Sequence, residues 1–171
     1  NTCLNKNLEI KLKLDNASQI HSIRNSLQNY SRSVEKQIDI YYKVYKGRLK
    51  LRIINGNEGN LILYSRAEKN VERISHYTIS KTKDFKELDF ILSRQFGILV
   101  KVVKKREIFI SKNIRVHLDK VAGLGNYLEI EIIYSDLLNA KKQMKNLVKL
   151  LDLEEKKFIK NSYSDLLKLK K

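Results

Sequence analysis

Four segments of this 171-residue chain alternate apolar and ionisable side chains, one residue at a time. Residues 7–14 read N-L-E-I-K-L-K-L and residues 48–52 read R-L-K-L-R. Residues 115–119 read R-V-H-L-D and residues 128–132 read L-E-I-E-I. Successive side chains of a β-strand point to opposite faces of the sheet. The alternation therefore predicts strands that each have one apolar face and one charged face.

The rest of the chain extends this pattern to about nine strands, including two near Ile98–Lys104 and Arg106–Ser111, with helices at three places. A sheet of that size usually curls or closes to protect its edges. We therefore expect an α+β fold: a closed or nearly closed antiparallel β-barrel of about eight or nine strands, with helices packed outside. The chain has no proline and no low-complexity tract. We expect a single domain over residues 1–171, with the barrel at about 7–134 and C-terminal helices at about 135–171.

The charge balance limits the partners. Thirty-five Lys and Arg against nineteen Asp and Glu give a formal net charge of +16, which favours a polyanionic ligand. Part of this positive excess lies in the C-terminal lysines, which we expect on solvated helix faces. A membrane partner is not expected, because no apolar run approaches the about 20 residues of a membrane-spanning helix. Cys3 is the only cysteine, and the N-terminal stretch does not resemble a signal peptide, so we expect a cytoplasmic protein.

The charged faces are not mixed evenly, because basic residues concentrate on some strands and acidic pairs on others. A charged face could simply face water in any one strand. If instead the charged faces line the barrel, unpaired cations away from water cost several kcal/mol each and require an anion. A triphosphate would suit them, since Arg grips its oxygens bidentately. The predicted phosphate-binding cations are Lys11, Lys13, Arg48, Lys50, Arg52, Arg66, Lys104, Arg106 and Arg115.

Carboxylates two residues apart on a strand point the same way and can share a divalent cation. We expect Glu9, Glu129 and Glu131, with Asp119 nearby, to bind Mg²⁺ or Mn²⁺ between carboxylate and phosphate oxygens. His117 and Asp119 are the candidates for a general base. The sequence contains no GxxxxGK[ST] loop, which excludes a P-loop enzyme.

Four blocks in order resemble the CYTH family, which joins class IV adenylyl cyclases, thiamine triphosphatases and inorganic triphosphatases on one triphosphate-tunnel barrel. Residues 7–11 (N-L-E-I-K) are similar to its ExExK signature, and the other blocks are residues 37–42 followed by 47–52, residues 115–121 and residues 123–131. The resemblance implies that the carboxylates named above hold the metal and the cations hold the phosphates. Asn7 departs from the signature, which has its first Glu there. Because an amide offers only a neutral oxygen, the number of metal ions stays open.

The resemblance favours a class IV-type adenylyl cyclase, which converts ATP to cyclic AMP and pyrophosphate. The alternative is a triphosphatase that hydrolyses tripolyphosphate, thiamine triphosphate or a nucleoside triphosphate. A non-catalytic binder of polyanions or nucleic acid is the third hypothesis. Against nucleic acid as the partner, Glu129 and Glu131 would repel phosphate unless a metal lay between them. Barrels of this family often pair, so a homodimer is expected.

Overall fold

The computed structural model describes residues 5–66 and 71–170, and only the backbone of Arg66. This part of the chain forms eight strands, four α-helices and one short 3-10 helix, Glu155–Lys157. The strands are β1 Asn5–Leu14, β2 Ser31–Tyr42, β3 Arg48–Ile54, β4 Glu58–Arg66, β5 Arg73–Thr82, β6 Ile98–Ser111, β7 Ile114–Val121 and β8 Gly125–Ile133. The helices are α1 Ala17–Ser26, α2 Phe85–Phe96, α3 Leu137–Leu150 and α4 Tyr163–Lys168.

The eight strands close into an antiparallel barrel in the order β1-β5-β4-β3-β2-β6-β7-β8. The first strand closes the barrel by pairing with both β5 and β8. In the β1–β8 register, Glu9 lies opposite Glu131 and Lys11 lies opposite Glu129. Closure removes the free sheet edges and gives every strand an inner and an outer face. The predicted α+β barrel with external helices is confirmed.

Apolar side chains on the outer face of the barrel pack against the helices. Leu8, Ile10 and Leu12 of β1 lie in one buried cluster with Met144 and Leu147 of α3. A second cluster joins α2 to the outer faces of β2, β3 and β4. Because the apolar faces are buried under helices, the ionisable residues of the same strands are directed into the barrel. In the described part of the chain, the longest helices are too short and too polar to cross a bilayer.

One predicted break between strands is wrong. The strands expected near Ile98–Lys104 and Arg106–Ser111 are a single 14-residue strand, β6. Lys104 and Arg106 are buried on the inner face, whereas Lys105 between them is exposed on the outer face. The three consecutive basic residues therefore continue the alternation instead of ending the strand. This accounts for eight strands where about nine were expected.

Candidate functional site

The barrel encloses a cavity of about 140 Å³. All eight strands contribute side chains to the lining, and a C-terminal segment adds two more residues. Ten of the lining residues comprise Asn7 and nine ionisable members of the predicted phosphate and metal sets. These are Asn7, Glu9 and Lys11 of β1, Lys50 and Arg52 of β3, Lys104 and Arg106 of β6, Arg115 of β7, and Glu129 and Glu131 of β8.

Glu9, Glu129 and Glu131 lie together because β1 and β8 are neighbours in the barrel. The Glu129 carboxylate contacts the Lys11 amine at 3.0 Å, and Glu9 pairs with the fully buried Arg73 at 3.1 Å. Burial, together with the charges of Glu129 and Glu9, raises the pKa of Glu131 to about 7. Three carboxylates in such proximity repel one another, and this repulsion favours a bound cation or proton.

His117 adds a nitrogen to this carboxylate group. Its Nδ1 lies 3.5 Å from a Glu129 oxygen, and potential ligand atoms of His117, Glu129 and Glu131 lie within 4.8 Å of one another. Burial, followed by the charge of Arg106, lowers the pKa of His117 to about 4. The ring is therefore neutral near pH 7 and has a lone pair available. His117 is not among the cavity-lining residues; it is buried and contacts Glu129.

The donor set fits a hard divalent cation. Carboxylate and amide oxygens are the ligands that Mg²⁺ and Mn²⁺ accept in proteins. Asn7 lines the cavity two residues before Glu9 on the same strand face, and its Oδ1 is buried without a hydrogen-bond partner among the described residues. A buried acceptor of this kind is costly unless a ligand satisfies it. The amide that departs from the family signature therefore still presents an oxygen beside the carboxylates.

A second charged group surrounds Asp39, a residue that the sequence analysis did not select. Its carboxylate accepts from Arg52 at 2.7 Å, from Lys50 at 3.1 Å and from Lys104 at 3.5 Å. Burial alone would raise the pKa of Asp39, but the charges of Arg52, Lys104 and Lys50 outweigh it and hold the pKa well below its usual range. Three predicted phosphate-binding cations thus converge on one internal anion.

Arg106 links the cationic group to the carboxylates. It donates to both oxygens of Asp119, at 2.7 and 2.6 Å, and to Glu129 at 3.1 Å. Asp119 is therefore an ion-pair partner of Arg106 in this structure, and the Arg106 charge helps to hold the pKa of Asp119 below its usual range against the effect of burial. Burial and the neighbouring Arg106 lower the pKa of Lys104 to about 7.

Two predicted phosphate-binding residues, Lys13 and Arg48, are not among the cavity-lining residues, and the side chain of a third is not described. Lys13 is exposed near the end of β1 and is not among the cavity-lining residues. Arg48 pairs with Asp165 of α4 at 3.1 Å and donates to Ser162 at 2.8 Å. The side chain of Arg66 falls outside the described part of the structure.

The C-terminal segment supplies site residues that the sequence analysis missed. Tyr163 lines the cavity, donates a hydrogen bond to Asp119 at 2.7 Å and places its ring 3.9 Å from the Lys11 amine. Arg73 donates to the carbonyl oxygen of Lys160 in the same segment. Ser162 and Asp165 form a capping box, and their S-x-x-D spacing in the sequence indicates a helix start here. Nothing local indicated that this helix would reach into the barrel.

A closed antiparallel barrel whose lumen carries converging cations beside a carboxylate group defines the triphosphate-tunnel class of proteins. The chain belongs to the CYTH family: the CYTH domain model matches residues 5–163. Members of this family are metal-dependent enzymes that act on triphosphates, as cyclases or triphosphatases. No curated protein sequence matches the chain.

Solved structures confirm the fold. The PH1012 protein of Pyrococcus horikoshii is 22% identical, with a TM-score of 0.83 over 94% of this chain and 98% of its own. A candidate adenylate cyclase from Vibrio parahaemolyticus is 18% identical, with a TM-score of 0.74 over 95% and 97%. A candidate adenylyl cyclase from Hippeastrum, described as having a dominant triphosphatase activity, is 14% identical, with a TM-score of 0.61 over 96% and 95%.

Proposed function

We propose that this chain is a divalent-metal-dependent enzyme that acts on a triphosphate bound in the barrel. One observation carries the proposal: the Glu9, Glu129 and Glu131 carboxylates line the same cavity as the Lys50, Arg52, Lys104, Arg106 and Arg115 cations. A metal site alone would not need five buried or half-buried cations beside it. An anion site alone would not place three carboxylates where phosphate must approach.

The cations and the carboxylates have different roles in this proposal. The cations bind the phosphate chain and stabilise the charge that builds up on the leaving phosphate. Glu9, Glu129 and Glu131, with the Asn7 oxygen, hold Mg²⁺ or Mn²⁺. When bound, this cation neutralises phosphate charge and lowers the pKa of a coordinated hydroxyl or water. Lys11 and Arg106 contact Glu129 and so fix the position of its carboxylate.

Adenylyl cyclase activity of the class IV type is the reaction we favour. In it, the ribose 3′-oxygen of ATP attacks the α-phosphorus and pyrophosphate leaves. Structural similarity to the candidate adenylate cyclase from Vibrio parahaemolyticus supports this choice. The cation group around Asp39 offers the leaving pyrophosphate several donors within one region of the barrel.

Hydrolysis is the second candidate, and one observation favours it. A general base works best when its pKa lies near the operating pH. Burial and like charges raise the pKa of Glu131 to about 7 in the metal-free barrel, so if Glu9 and Glu129 hold the metal without it, this carboxylate could accept a proton from an attacking water. In this reaction, Glu131 would take the role that the sequence analysis assigned to His117 or Asp119.

The test is a product analysis of the purified protein with ATP, and in parallel with tripolyphosphate, each with Mg²⁺ or Mn²⁺. Cyclic AMP with pyrophosphate identifies a cyclase, and orthophosphate release identifies a triphosphatase. Replacing both Glu129 and Glu131 by Gln should reduce turnover at least about 100-fold, because removal of catalytic charge stabilisation typically costs that much. Binding of tripolyphosphate without metal should persist in this variant.

A matched control replaces the exposed pair Glu154 and Glu155 by Gln and should leave turnover unchanged. Full activity in the Glu129→Gln, Glu131→Gln variant would refute the metal site. Absence of both binding and turnover of every triphosphate in the unaltered protein would refute the proposed function.

A further inference from the structure

A second cavity lies outside the barrel lumen, beside α1 and among residues of β2, β6 and β7. Its volume is about 210 Å³, against about 140 Å³ for the central cavity. Four cations line it: Arg24 of α1, Arg32 of β2, Lys105 of β6 and Lys120 of β7. We call this cavity the outer pocket. None of the four cations lines the central cavity, so their convergence needs a separate explanation.

A buried carboxylate holds the two arginines of the outer pocket side by side. Glu107 is 7% exposed, and its two oxygens accept from the Arg24 Nε at 2.9 and 3.2 Å. The Arg32 guanidinium pairs with the same carboxylate. Among the described residues, the terminal nitrogens of Arg24 have no hydrogen-bond partner. Glu107 therefore orders two guanidinium groups that still have donors for a second anion.

Three lysines form a row across the wall of the barrel at this pocket. Lys105 lies directly opposite Lys36 of β2 on one side and Lys120 of β7 on the other. All three are exposed, and none pairs with an acidic residue in the described part of the chain. Like charges directly opposite one another destabilise a sheet. Neighbouring strands are about 4.8 Å apart, so one anion with several oxygens can contact two of these lysines and relieve their repulsion.

The lining of the outer pocket matches a phosphate ester. It carries four cations and two carboxylates, and one of these, Asp119, is already paired with Arg106 inside the barrel. A phosphate monoester brings up to about two negative charges near pH 7 and three acceptor oxygens, which suits this excess of donors. Leu14 and Leu118 are buried in the lining, and Val34 is 46% exposed there. These apolar residues suit the organic part of such an ester.

We propose that the outer pocket is a second ligand site, which binds a soluble phosphate monoester with an apolar organic group. The phosphate contacts Lys105, Lys120 and the terminal nitrogens of Arg24. The organic group packs on Val34 and Leu118.

The outer pocket is separate from the triphosphate site. Lys105 is exposed on the outer face of β6, whereas Lys104 and Arg106 on either side of it are buried in the lumen. The barrel wall therefore lies between the two sets of cations, and both sites can be occupied at once. The inference does not depend on the proposed function.

Phenyl phosphate, in the absence of divalent metal, is the probe for the outer pocket. Amide NMR spectra of the whole chain should show the signals of Arg32, Lys105 and Lys120 shifting as phenyl phosphate is added. Inorganic phosphate, which lacks the apolar group, should bind several-fold more weakly. Lys105→Gln with Lys120→Gln, followed at Arg32, should weaken phenyl phosphate binding at least about 10-fold, as loss of hydrogen bonds to a charged group usually does.

Matched variants separate the two sites. The Lys105→Gln, Lys120→Gln variant replaces exposed side chains, so it should fold normally and keep the affinity for tripolyphosphate that the signals of lumen residues report. Lys141→Gln with Lys142→Gln makes the same change of charge at exposed positions of α3 and should alter neither affinity. Arg52→Ala, in the lumen, should leave phenyl phosphate binding at the outer pocket unchanged.

The inference is overturned if phenyl phosphate shifts no signals or only those of lumen residues, or if the Lys105→Gln, Lys120→Gln variant binds it as well as the α3 control does. It is also overturned if vesicles of phosphatidylcholine and phosphatidic acid, or a single-stranded oligonucleotide, bind through Lys105 and Lys120 while phenyl phosphate does not. The pocket would then belong to a membrane-binding or nucleic-acid-binding surface. In each case the proposed function of the barrel would stand.

Discussion

Asp39 is the internal counter-ion of three cations that we propose to bind phosphate. Its carboxylate holds Lys50, Arg52 and Lys104 in one place, and it is only 1% exposed. An internal counter-ion of this kind keeps three clustered cations from repelling one another before substrate arrives. It also competes with the substrate for their donors. Under the proposed function, Asp39 therefore stabilises the ligand-free barrel at some cost in affinity for phosphate.

Asp39→Asn should separate these two effects. We expect the free energy of unfolding of the ligand-free protein to fall by about 3 kcal/mol or more, the usual result of removing one partner of a buried ion pair. Tripolyphosphate should restore much of that loss and should bind the variant more tightly than the unaltered protein. Urea unfolding with and without tripolyphosphate, in the absence of metal, measures both. Asp152→Asn, at an exposed position, is the control. An equal loss of stability with and without the ligand would contradict this interpretation.

The period-two pattern located much of the site because it determines which face of a strand a residue occupies. Lys11, Lys50, Arg52 and Arg115 were found this way and do line the cavity. The pattern does not determine depth along the barrel axis, which depends on register and strand tilt. Lys13 shares its strand face with Lys11 but is exposed near the end of the strand.

Asp39 was missed for a different reason. It stands as a lone acid in the segment Q-I-D-I-Y-Y, and its importance comes from Arg52 opposite it on β3 and from Lys104 on β6. Such a contact joins residues that are distant in sequence. No local pattern indicates it, since it exists only once β2, β3 and β6 are neighbours.

The position of α4 against the barrel was the part of the fold least predictable from the sequence. It has only six residues, yet Tyr163 at its start contacts Asp119, and the segment before it is hydrogen-bonded to β1 through Ile159 and Lys11. A helix this short is not stable alone, so packing against the barrel must hold it in place. Arg48 contributes by pairing with Asp165 and donating to Ser162.

This placement gives different expectations for two arginines on β3. Arg52→Ala should weaken metal-free tripolyphosphate binding at least about 10-fold, as loss of a hydrogen bond to a charged group usually does. Arg48→Ala should weaken it less, and Asp165→Ala should reproduce the effect of Arg48→Ala, because both variants loosen α4. Calorimetric titration of the three variants with tripolyphosphate measures these affinities. Equal losses for Arg48→Ala and Arg52→Ala, with no effect of Asp165→Ala, would instead make Arg48 a direct phosphate ligand.

For the molecule as a whole, the formal charge of +16 is a less direct guide to function than the distribution of charge inside the barrel. Many of the lysines are solvated; Lys141, Lys142, Lys145 and Lys149 of α3 are all exposed. Fewer cations face the cavity, and Asp39, Asp119 and Glu129 pair with five of them: Lys11, Lys50, Arg52, Lys104 and Arg106. Closure of the barrel is what brings these groups together. Fold and site are therefore consequences of the same alternating strands.

The central claim is that the barrel holds a triphosphate beside a divalent metal. The most direct test is a crystal structure with Mn²⁺ and an ATP analogue in which methylene groups replace both bridging oxygens between phosphorus atoms. We predict a manganese anomalous peak among Glu9, Glu129 and Glu131, with the phosphates along Arg52, Lys104 and Arg106. Manganese and phosphates bound only at exposed residues outside the barrel, in crystals whose cavity is accessible, would contradict the account.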